Sequence, residues 1–114
     1  MRVIIAGSRD VTELKHVILA VHNSGFDITE VLCGMARGVD ELGYIWAEEN
    51  NIPIAKFPAD WDKYGKSAGY KRNEEMAKHA DALIAIRKNK SKGTTHMLNI
   101  AKDYSLKIYQ IDIS

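Results

Sequence analysis

Two kinds of apolar pattern alternate along this chain. Val3-Ile4-Ile5-Ala6 and Ala82-Leu83-Ile84-Ala85-Ile86 are unbroken apolar runs, the pattern of strands whose sheet is covered on both faces. Glu30-Val31-Leu32-Cys33 is a second strand of this kind, and Ile52 to Phe57 is a third. Pro53 lacks a ladder donor, which assigns that third strand a start or an edge position. Leu106 to Ile111 alternates apolar with polar and predicts a last strand at an edge. The segments between have helical spacing. Val11, Leu14, Ile18 and Val21 predict a helix to about Asn23, with Gly25 beyond its end and Asp10 and Glu13 spaced as a capping box. Val39, Leu42, Ile45 and Trp46 line a second helix ending near Asn50 and Asn51. Gly69 to His79 predicts a third, and Gly93-Thr94-Thr95 opens a fourth that runs to about Tyr104. Pro58 to Ser67 and Arg87 to Lys92 read as loops.

The result is a strict β-α-β-α-β-α-β-α-β alternation. Right-handed crossovers make it a three-layer α/β/α, Rossmann-like domain on a five-stranded parallel sheet. The two most apolar strands, the first and fourth, belong in the centre, giving the order 3-2-1-4-5. Residues 1–114 are expected to form one domain.

Ligands of such sheets bind beyond the carboxyl ends of the strands, where the strand order reverses. Here that point lies between the first and fourth strands. Gly7-Ser8-Arg9 leaves the first strand, Gly34 to Asp40 the second, Asp60 to Lys66 the third, and Arg87 to Thr95 the fourth. Topology therefore gathers glycine, hydroxyl and basic residues at one edge, a combination suited to a phosphate-bearing ligand. Gly34 and Gly38 permit a tight turn ahead of a helix whose free N–H groups attract an anion. Met35 lies within that turn. Arg9, Arg37 and Arg72 offer planar cationic forks. Ser8, Thr94 and Thr95 offer hydroxyls, and Gly93 begins a helix. Asp40 is an acceptor in its helix's first turn. Trp61 or Tyr64 presents a face for a base, and Asp60 or Asp62 presents an acceptor for ribose hydroxyls.

Composition narrows the classes. An apolar fraction of 46% and a charged fraction of 27% are those of an ordinary globular protein. A formal net charge of +1 lacks the strong basic field of a dedicated duplex-DNA binder. Cys33 is the only cysteine, so no intrachain disulfide forms, which fits the cytoplasm. No apolar run reaches membrane-spanning length, so no membrane partner is expected. The four histidines lack metal-ligand spacing, and no metal is expected. Neither a Walker loop nor Gly-x-Gly-x-x-Gly occurs, and no cofactor is expected.

Several stretches carry a family resemblance. Arg72-Asn73-Glu74-Glu75-Met76, then Ala80 to Ala85, then Gly93-Thr94 resemble the second half of the Lonely Guy phosphoribohydrolases. Gly34-Met35-Ala36-Arg37-Gly38-Val39-Asp40 resembles a turn of the DNA-processing protein A family. Both belong to the SLOG superfamily. The whole chain resembles its compact stand-alone members related to YspA and YpsA, often found in phages and bacteria. The resemblance implies a nucleotide or nucleotide-derived ligand at Gly7, Ser8, Arg9, Gly34, Arg37, Gly38, Gly93 and Thr94, with Arg72 facing it. It also implies a homodimer or higher homo-oligomer.

The hydrolases' carboxylate position is here Met97, and their Pro-Gly-Gly is Lys90-Ser91-Lys92 before Gly93. Methionine can neither activate water nor steady positive charge on a sugar. The expectation is therefore a nucleotide-binding sensor or sequestering module. One alternative is an N-glycosidase acting on nucleoside phosphates, with Asp60 or Asp62 as its carboxylate. A second alternative, carried by the Met35–Asp40 turn, is single-stranded DNA binding.

Overall fold

The computed structural model describes residues 1–114. Five parallel strands are ordered β3-β2-β1-β4-β5, as the apolar runs predict. They are β1 (Arg2–Gly7), β2 (Glu30–Cys33), β3 (Ile54–Lys56), β4 (Ala82–Lys88) and β5 (Lys107–Ile113). The helices are α1 (Leu14–Ser24), α2 (Val39–Glu49), α3 (Trp61–Tyr64), α4 (Ala68–His79) and α5 (Lys92–Asp103), with a 3₁₀ turn at Gly65–Ser67. Gly25 takes the left-handed conformation at the end of α1, φ 69°.

Strand alternation divides the core. Val3 and Ile5 of β1, with Ala82, Ile84 and Ile86 of β4, pack against Val17, Ala20, Val39, Leu42 and Ala47 of α1 and α2. Ile4, Ala6, Leu83 and Ala85 face the other way, against Met76 and Ala77 of α4 and Met97, Leu98 and Ala101 of α5. The register pairs Val3 with Ala82 and Gly7 with Ile86, so equivalent faces stay aligned. No helix is long and apolar enough to cross a membrane.

Four local expectations change. The capping box does not form: Val11 is drawn into the core, and its N–H donates to the Ser8 carbonyl at 3.5 Å. Residues 8–13 are therefore non-helical, Asp10 is exposed, and α1 starts only at Leu14. The predicted loop at Pro58–Ser67 contains α3, because the Asp60 carboxylate accepts the Lys63 N–H at 3.1 Å and caps a helical turn. The third strand is shorter than its apolar run and ends at Lys56. The strand before the basic loop is longer, since Arg87 and Lys88 pair with Asp112 and Ile113 of β5.

Ile84 is fully buried in the central strand pair. Ile84→Ala should cost about 2–5 kcal/mol of unfolding free energy through lost burial and the cavity left behind. A urea midpoint close to that of the unmodified protein would contradict this placement.

Candidate functional site

The crevice lies where β1 and β4 end side by side. Gly7 approaches β4 so closely that a Cβ would run into the Ile86 carbonyl oxygen and the Val39 side chain. Ser8 continues the pairing. Its N–H donates to the Ile86 carbonyl at 3.0 Å. Its hydroxyl accepts the Lys88 N–H at 2.8 Å and donates to the Lys88 carbonyl at 3.3 Å. Ser8 is only 2% exposed. It borders the crevice, but its hydroxyl serves the sheet.

Above this edge is a cavity of about 440 Å³, within the range of small-ligand pockets. Of the residues singled out from sequence, Gly7, Ser8, Arg9, Asp40, Trp61, Arg72, Gly93 and Thr94 line it. Asp10, Lys66, Tyr70, Asn73 and Ser91 line it as well. Its cations are Arg9, Lys66 and Arg72, and its carboxyls are Asp10 and Asp40.

The glycine turn after β2 is arranged otherwise than its sequence suggests. Gly38 has φ 78°, and a Cβ there would strike the Ser8 carbonyl and Arg9 Cα. The Val39 N–H donates to that Ser8 carbonyl at 3.2 Å. A protein oxygen thus occupies an N–H at the start of α2 that the sequence reading offered to a ligand anion. Met35 and Arg37 are exposed, and Gly34, Met35, Arg37 and Gly38 all lie outside the cavity lining.

Gly34 instead makes room for the buried Asp40 carboxyl and the half-buried Arg72 guanidinium. A Cβ on it would come within 2.6 Å of Asp40 Oδ2 and 2.8 Å of Arg72 Nη1. Arg72 Nη1 donates to the Gly34 carbonyl, and Nε donates to Asn73 Oδ1 at 3.0 Å. Asp40, 5% exposed, accepts the Ala36 N–H at 3.3 Å. Burial pushes its carboxyl above the ordinary value, while Arg72, the backbone N–H groups of Ala36 and Gly7, and Arg9 pull it down. Burial also draws the Arg72 guanidinium down, against the Asp40 charge, although a guanidinium stays protonated at physiological pH. Cys33 lies beneath this turn, its thiol pushed up to about 11 chiefly by burial. A thiol in that state is inert packing.

The α5 end contributes Ser91, Gly93 and Thr94. Ser91 Oγ donates to Thr94 Oγ1 at 2.7 Å. No side chain caps the first N–H groups of α5, and the space around Gly93 is open. Thr95 faces elsewhere, accepting from Arg87 Nη1 at 3.1 Å, while Arg87 also holds Asp112. Asp60 borders a neighbouring groove, and exposed Asp62 lines neither cavity. No group of three histidine, cysteine, aspartate or glutamate side chains is placed to hold a metal ion.

Sequence reasoning named Lys66 only as a loop residue and missed Tyr70 and Asn73 as cavity residues. The available signal was their position. Both flank Arg72 in the first turns of the helix that follows the third strand's loop.

Residues 1–64 match the YspA, cpYpsA-related SLOG family. The Gene 61 protein of Mycobacterium phage D29 is 35% identical over 111 residues, which covers 89% of this chain and 88% of that protein. The chain belongs to the YspA, cpYpsA-related SLOG family. Its fold is shared with DNA processing protein A (DprA) from Streptococcus pneumoniae, at a TM-score of 0.78 and 17% identity. That likeness covers 99% of this chain but only 50% of the DprA chain. In this SLOG chain the family match spans Gly7 to Asp40 and Trp61, whereas Arg72, Gly93 and Thr94 lie beyond it.

The raised Asp40 carboxyl has a consequence for stability. The native state retains a proton that the unfolded chain releases near pH 3.9, so stability falls as pH rises between that value and the native one. Asp40→Asn keeps an acceptor for Ala36 and removes the charge. Urea unfolding of Asp40→Asn should therefore improve relative to the unmodified protein as pH rises from about 4. Parallel stability curves for the two proteins would contradict it.

Proposed function

We propose that this protein binds a nucleotide or nucleotide-derived phosphate ligand at the carboxyl edge of its sheet, as a sensor or sequestering module. One observation carries the reading: Arg9, Lys66 and Arg72 converge on a cavity of about 440 Å³ that the start of α5 also borders. Three cations and uncapped helix N–H groups favour an anion. The volume suits a small molecule. The SLOG family membership and the DprA-like fold agree with a nucleotide-related or DNA-processing role in general. The proposed unit is the 1–114 domain, self-associated in the cytoplasm.

The geometry weighs against an N-glycosidase with Asp60 or Asp62 as its carboxylate. Asp60 caps α3, Asp62 is exposed outside the cavity, and Met97 is buried at the hydrolases' carboxylate position. A cavity rather than an open basic groove favours a small ligand over single-stranded DNA.

Isothermal titration with ribonucleoside mono- and diphosphates tests the proposal. Arg9→Ala, Lys66→Ala and Arg72→Ala should each weaken the nucleotide that binds by roughly ten- to hundredfold, as expected for a lost charge-assisted contact. Lys107→Ala, at the opposite end of the strands, should leave affinity unchanged. Absence of binding across the panel, or affinity indifferent to all three cavity cations, would overturn the reading.

A further inference from the structure

Trp61 and Tyr70 are 53% and 50% exposed, yet both border the cavity. Leaving a large ring in water forgoes the burial that normally makes it worthwhile in a fold. Their surroundings give the exposure a purpose. Gly69 also lines the cavity, beside Trp61 in space and next to Tyr70 in the chain. A Cβ built on it would sit 3.7 Å from Trp61 Cη2 and 3.7 Å from Arg72 Nη2. An indole edge and a guanidinium therefore both approach the bare backbone of Gly69, next in the chain to Tyr70.

Tyr70 is also held in place. Its ring lies against His96, with centroids 4.3 Å apart and planes tilted by 41°. His96 Nδ1 is 3.2 Å from Asn73 Nδ2. The hydrogen-bond directions are fixed by Arg72, which can only donate. Its Nε–H makes Asn73 Oδ1 the acceptor, so Asn73 Nδ2 donates and His96 carries its proton on Nε2. Burial lowers the His96 pKa, against the charge of Glu74, in keeping with a neutral ring. A chain of contacts thus runs from the cavity's cation to its exposed tyrosine.

We infer that Trp61, Gly69 and Tyr70 form a nucleobase slot, with Tyr70 as a stacking residue and Asn73 and His96 as positioning residues behind it. The inference rests on the nucleotide reading of the cavity and gives that ligand an aromatic base. Both rings and Arg72 line one cavity, which favours this occupant: a nucleotide joins a flat apolar face to an anion. Aromatic stacking tolerates different bases, so the slot selects for the presence of a base over its identity. A pre-held ring also loses little freedom on binding.

The test compares ribonucleoside monophosphates with ribose 5-phosphate, their base-free counterpart, by isothermal titration. The unmodified protein should bind a nucleotide more tightly than ribose 5-phosphate. Tyr70→Ala should weaken that nucleotide by roughly five- to hundredfold while leaving ribose 5-phosphate unchanged. Tyr70→Phe, which keeps the ring, should bind normally. Because Tyr70 is exposed, these variants should fold, and circular dichroism checks that they do. Nucleotide affinity unaffected by both Tyr70→Ala and Trp61→Ala overturns the slot while the nucleotide reading stands. Failure of every nucleotide and of ribose 5-phosphate to bind overturns both.

Discussion

The pairing of β1 with β4 governs everything else in the molecule. These strands are neighbours in space but about eighty residues apart in sequence, and the chain's order reverses across them. Their alternate residues feed two separate cores, one beneath α1 and α2 and one beneath α4 and α5. The loops that leave β1 and β4 consequently diverge to opposite layers. A crevice opens between them as a consequence of topology. Ser8 sets its floor by carrying the β1–β4 hydrogen bonding past the end of the strand to Lys88.

This constraint also decides which helix end stays open to the crevice. The starts of α2 and α5 both lie at the carboxyl edge, α2 after the glycine turn and α5 with Gly93 in its first turn. The Ser8 carbonyl, fixed by the strand pairing, accepts the Val39 N–H at the start of α2. The start of α5 has no such partner and has open space at Gly93. Gly38 is required for the close contact with Ser8 and Arg9, and Gly34 for the approach of Asp40 and Arg72. These two glycines make the site compact without themselves lining it.

Much of the fold could be read from the sequence because parallel strands advertise themselves. Val3–Ala6 and Ala82–Ile86 are apolar on both faces, and only central strands can afford that. The strand order followed from them. Arg9, Arg72, Gly93 and Thr94 could be named because topology places the ends of strands one and four, and the helices beside them, at one edge. The fine arrangement was not legible, since it depends on competition between groups distant in sequence. Nothing near Arg37 reveals that Ser8 reaches the start of α2. The spacing of Asp10 and Glu13 suggests a cap, but Val11 gains more by burial than the early helical turn would supply. Asp60 looks available to a sugar until the local backbone claims it. Tyr70 and Asn73 do not stand out in the sequence as cavity residues, because the contacts that join them run through His96, more than twenty residues away.

The proposed ligand position lies between the ends of β1 and β4, bounded by the first turns of α4 and α5. Amide NMR spectra of nitrogen-labelled protein titrated with a binding nucleotide test it most directly. The account predicts that the largest shifts fall on residues 7–10, 69–73 and 93–94, with Arg37 and the β3 edge little affected. Shifts confined to the Gly34–Gly38 turn, or none with nucleotide in large excess, would contradict it.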